Sequence, residues 1–129
     1  MNEDNTITLE RFMEITADMM DELPEVFFKE LNNGVIVQDY AKPHPKRQAD
    51  DLYILGEYSR SYSYGRGITL YYGSFIRMMP WADEEAMTQK IREVLRHEFR
   101  HHLEGLSGVR DLEVEDDIFL RKYLDNHGK

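Results

Sequence analysis

The stretch DEEAMTQKIREVLRHEFRHHLEG, Asp83 to Gly105, decides how this chain folds. Met87, Ile91, Val94 and Leu95 recur at the three- and four-residue spacing of one helical face, so a long helix is predicted from Glu84 to about Glu104. Asp83 is placed to cap it, and Gly105 with Gly108 breaks it. At about 100° per residue, His97 and His101 project from the edge of the apolar face and stand side by side, one turn apart. Glu98 points toward the same buried side. The result is H-E-x-x-H, written His97-Glu98-Phe99-Arg100-His101, on an amphipathic helix.

Each of these residue types has a chemical reason to be there. Neutral imidazole is a good zinc ligand, and two imidazoles one turn apart can share one ion. A catalytic zinc takes about three protein ligands and leaves a position for water, whose pKa it lowers toward 7. Glu98 is then the expected general base, taking the proton of that water and passing it to the leaving amine. A structural alternative has two histidines flanking a core helix and an ordinary glutamate between them. The carboxylate-bridged di-iron reading of Glu98-x-x-His101 needs a second copy of the half-motif, and the chain has none. His102 lies toward the middle of the apolar face, where a buried, hydrogen-bonded ring or a group orienting a ligand is expected rather than a ligand. His44, in a proline loop, and His127 have no metal partners visible in the sequence.

Outward from this helix the chain reads as one domain over residues 1–129, long enough to bury a single core. Thr8 to Asp21 has helical spacing with Thr8 as its cap, and Pro24 suits the first turn of a second helix, Glu25 to Leu31. Val35 to Val37 begins a strand, Lys42 to Asp51 is a loop, and Leu52 to Tyr58 forms a second strand. Ser59 to Gly67 reads as a loop, and Tyr58, Tyr62 and Tyr64, interleaved with Arg60 and Arg66, either contact substrate or pack their rings on the core. Ile68 to Tyr72 is a β-favouring run between Gly67 and Gly73, Ser74 to Met79 a short helix, and Leu112 to Leu124 a last helix. The expected class is α+β, with a small mixed sheet packed against helices.

The chain carries 16 Lys and Arg against 25 Asp and Glu, a net charge of −9, which repels polyanions and argues against nucleic acid as a partner. It has no cysteine, which removes disulfides and thiolate zinc sites together. The polar, acidic start lacks a secretory pattern, and no apolar run approaches the roughly 18 residues of a membrane span. A cytoplasmic protein with no membrane partner is expected.

Three segments together resemble the small bacterial zincin-like metallopeptidases, or minimal zincins. They are the Leu-Pro and Phe-Phe-Lys-Glu-Leu pattern at Leu23 to Leu31, Gly-Ile-Thr-Leu-Tyr-Tyr-Gly at Gly67 to Gly73, and Arg-His-Glu-Phe-Arg-His-His at Arg96 to His102. The resemblance implies a small sheet against the metal helix, Zn2+ on His97 and His101, and Glu98 as the catalytic acid and base. Many relatives read H-E-x-x-H-x-x-G-x-x-D, whereas Glu104 here holds the glycine place and Ser107 the aspartate place.

The third metal ligand is expected from the carboxylates that follow. Gly105 and Gly108 let the chain reverse and bring Asp111 back beside the histidines, so Asp111 leads Glu115 and Glu104, although it is also placed to cap the last helix. The expected function is zinc-dependent hydrolysis of short peptides or unfolded protein segments, with Ile68 to Tyr72 as the strand that pairs with substrate. Tyr71, Tyr72, Arg100 and His102 are candidates to stabilise the oxyanion. The competing expectation is a metal-stabilised binding or regulatory module, its site closed by a fourth ligand from Glu104, Glu113 or Glu115.

Overall fold

The computed structural model describes residues 6–46, 52–61, 63, 65–108, 118 and 121–125. Helix α1 (Leu9–Glu22) begins where Thr8 accepts the Arg11 amide at 3.1 Å, the predicted cap, and buries Phe12, Ile15 and Met19 at helical spacing. A 3-10 helix over Glu25–Phe28 takes the place of the predicted α-helix. With Pro24 ahead of it and the asparagine-glycine turn behind, there is room for one tight turn and no more.

Strands β1 (Gly34–Gln38), β2 (Lys42–Pro43), β3 (Tyr53–Ile54), β4 (Gly56–Ser61) and β5 (Gly65–Tyr71) follow, then helices α2 (Tyr72–Met78) and α3 (Glu84–Gly108). The main sheet has the order β1-β5-β4, with β1 parallel and β4 antiparallel to β5, while β2 and β3 form a separate antiparallel pair. It is the expected class, a small mixed sheet against helices.

The predicted loop Ser59 to Gly67 is instead a hairpin. Ser59 to Ser61 extend β4, and Gly65, with φ of 85°, makes the left-handed turn into β5. Tyr71 donates its amide to the Leu55 carbonyl at 2.9 Å, so odd-numbered residues of β4 face β5. Antiparallel alternation then turns the backbone groups of Gly56, Tyr58 and Arg60 outward, along the edge of the sheet.

Helix α3 packs across β4 and β5. Asp83 accepts the Ala86 amide at 2.9 Å and caps it, as predicted. Its buried side runs through Met87, Ile91, Leu95, Phe99, Leu103 and Leu106, which join Ile68, Leu70, Phe12 and Phe75 in one core. Residues 121–125 are helical, with Leu124 buried and the Tyr123 ring 5.3 Å from that of Phe27. Ile118 is helical as well, and the other residues of the predicted last helix lie outside the described ones. No helix among them is long and apolar enough to cross a membrane.

Candidate metal and catalytic site

An open groove of about 990 Å³ runs between the outer edge of β4 and the C-terminal half of α3. Gly56, Glu57, Tyr58 and Arg60 line it on the strand side, and Lys90, Glu93, His97, Glu98, His101 and Glu104 on the helix side. Gly56 permits this approach, because a Cβ there would lie 2.7 Å from the Val94 Cγ1 atom.

His97 and His101 face each other with Nε2 atoms 3.1 Å apart and rings nearly perpendicular. Two nitrogens bonded to one tetrahedral zinc at 2.0–2.1 Å lie about 3.3 Å apart, so the pair fits two donor positions of a single ion. Glu104 stands on the other side of the His101 ring, its Oε1 atom 3.6 Å from Nδ1. It is placed to orient that imidazole rather than to share the ion with Nε2. Among the described residues no three His, Asp or Glu side chains form a set that could hold a metal. Asp111, Glu113 and Glu115 lie outside them.

Glu98 is 6% exposed at the floor of the groove. Burial pushes its carboxyl up from the usual range, opposed by the two neighbouring histidines and by the Tyr58 backbone amide, which donates a hydrogen bond to it. The outward amide of an edge strand thus favours the charged form of the glutamate of the motif.

None of the four predicted oxyanion donors lines the groove. Tyr71 donates its hydroxyl to Glu57 at 2.7 Å, and Tyr72 donates to the Ile7 carbonyl at 2.6 Å. Arg100 pairs with Asp125 at 3.0 Å, and His102 is buried between Tyr58 and Lys29. Strand β5 cannot pair with substrate as predicted either, since β1 and β4 occupy both of its edges. Among the described residues, the edge without a strand partner in the groove belongs to β4. Of the tyrosines expected either to contact substrate or to pack on the core, Tyr58 lines the groove, while Tyr62 and Tyr64 lie outside the described residues. His44, set aside in the sequence, lines the groove from the segment after β2, a placement no local pattern foretells.

The sequence profile of the zincin-like metallopeptidase family matches residues 32–117. A conserved hypothetical protein from Thermus thermophilus superposes with a TM-score of 0.64 at 38% identity, covering 78% of this chain and 98% of that one. No protein of curated function matches. A profile that spans most of the chain, together with a solved relative of this likeness, shows that the chain belongs to the zincin-like metallopeptidase family.

Proposed function

We propose that the protein is a zinc-dependent peptidase that binds an extended peptide or unfolded segment along β4 and cleaves it beside Glu98. The observation that carries this reading is the facing pair of Nε2 atoms, 3.1 Å apart, next to a buried carboxylate in an open groove. His97 and His101 are two of the zinc donors, with Asp111 as the third. Bound zinc supplies Lewis acidity to a substrate carbonyl and to the attacking water.

The chain's own residues supply the rest. The outward backbone groups of Gly56 and Arg60, with the outward Tyr58 carbonyl between them, offer an extended substrate the pairing that an unpaired strand edge provides. Desolvation raises the proton affinity of Glu98, which suits a carboxylate that takes a proton from water and returns it to the leaving amine.

Zinc analysis of the purified protein tests the metal, with about one ion per chain expected and tight binding lost in His97→Ala and His101→Ala. Glu98→Gln should keep the zinc and the fold while cleavage of a broad peptide library falls by about 10² or more. Zinc retained with no zinc-dependent cleavage by the parent would favour the binding module.

A further inference from the structure

The double histidine leaves one imidazole that this chemistry does not use. His102 is 2% exposed, yet both of its ring nitrogens are engaged: Nε2 lies 2.8 Å from the Lys29 carbonyl and Nδ1 lies 2.9 Å from the Tyr58 hydroxyl. A carbonyl only accepts, so Nε2 carries the proton. The neutral ring then leaves Nδ1 to accept from the Tyr58 O–H group. The two rings also pack against each other, with centroids 5.3 Å apart.

Tyr58 therefore makes two connections. Its side chain is pinned by His102, and the strand register turns its backbone amide outward into the groove that Glu98 also lines, where it favours the ionised carboxylate. On that edge no strand among the described residues fixes the amide, and a strand edge held on one side only frays readily. The far end of the chain of contacts is also well defined. Lys29 precedes Glu30, which has φ of 60°, the left-handed region that a glutamate seldom occupies.

We propose that Tyr58 and His102 are positioning residues, a clamp that fixes the Tyr58 amide against Glu98 and so aims the proton-moving carboxylate into the groove. The kinetic consequence rests on the peptidase reading, and the structural consequence does not. Asparagine at position 102 places an amide oxygen near Nδ1 and keeps an acceptor for Tyr58, whereas glutamine reaches the Nε2 place and keeps only the Lys29 contact. A merely structural role would not distinguish them by what they do to Glu98.

The test compares Tyr58→Phe, His102→Gln and His102→Asn in the full chain, with and without added zinc. Amide hydrogen exchange at Tyr58 should quicken about tenfold in Tyr58→Phe and His102→Gln, relative to Glu57 and Ser59, and stay close to the parent in His102→Asn. Zinc content should be unchanged in all three. In the peptidase assay, kcat should fall about tenfold in the first two with KM held, the double variant Tyr58→Phe/His102→Gln should be no worse than either single one, and His102→Asn should recover most of the loss. Uniform quickening across β4, or equal effects of Asn and Gln, would overturn the clamp. If the parent cleaves no peptide, the peptidase reading fails, and selective exchange at Tyr58 still decides for or against the clamp.

Discussion

Glu104 and Asp111 are both carboxylates just beyond His101, and the geometry separates their roles. The Nε2 atom of His101 faces His97, while Glu104 approaches Nδ1 at 3.6 Å from a largely exposed position. An ion held between the two Nε2 atoms therefore has the imidazole ring between itself and Glu104. Glu104→Ala should leave about one zinc per chain and weaken it only modestly, by loosening the ring. Asp111→Ala should lower zinc affinity at least tenfold, as read by competition with a chelating dye. If Asp111 is a helix cap alone, its loss would cost about 1 kcal/mol in the metal-free protein and leave zinc affinity untouched, which would move the third position to Glu115.

At the scale of elements, the groove exists because β4 lies close to α3 without sealing against it. A side chain at Gly56 would meet Val94 Cγ1 at 2.7 Å and Leu70 Cδ2 at 3.1 Å, and both belong to packed residues with little freedom to move. Gly56→Val should lower stability by about 1–3 kcal/mol in urea unfolding and loosen the Tyr58 amide from Glu98. Unchanged stability would mean that the strand shifts freely, and that the groove is not set by this contact. The helix side of this arrangement was legible in the sequence, because a period of 3.6 residues places His97, Glu98 and His101 from local spacing alone. The strand side was not. Residues Ser59 to Ser61 are polar and exposed, so they carry no hydrophobic alternation, and they are strand because their backbone pairs with β5. Likewise, the reach of His102 to Lys29 spans 73 residues and that to Tyr58 spans 44, contacts that no short pattern encodes.

Across the whole molecule, one carboxylate at the strand wall of the groove joins the two sheets. Glu57 Oε1 accepts from Lys42 Nζ of β2 and from Tyr71 Oη of β5, each at 2.7 Å, and the Lys42 amide in turn donates to Ser74 of α2 at 2.8 Å. Burial alone would raise the Glu57 carboxyl, but the hydrogen bonds from Lys42 and Tyr71 and the lysine charge outweigh it and hold the group below its usual range. On the other side of the bond, burial and then the Glu57 carboxylate push Tyr71 well above the phenol range, so it remains a donor. A carboxylate whose folded pKa is depressed binds fewer protons folded than unfolded. Its contribution is therefore complete above the unfolded value of about 4.3 and is lost as pH falls through the folded one. Both charged partners are more than a third exposed, so screening limits the contribution to about 1 kcal/mol at neutral pH. Urea unfolding of the parent and of Glu57→Gln, with chelator present to remove metal linkage, should differ by that amount at pH 7. The difference should shrink toward zero below about pH 4, because protonation then does to the parent what the substitution does to the variant. Lys42→Met should reproduce most of the loss, and the double variant should lose less than the sum. A difference that stays constant from pH 7 to pH 3 would show that Glu57 acts through packing instead of charge, and the tie between the sheets would then owe nothing to its ionisation.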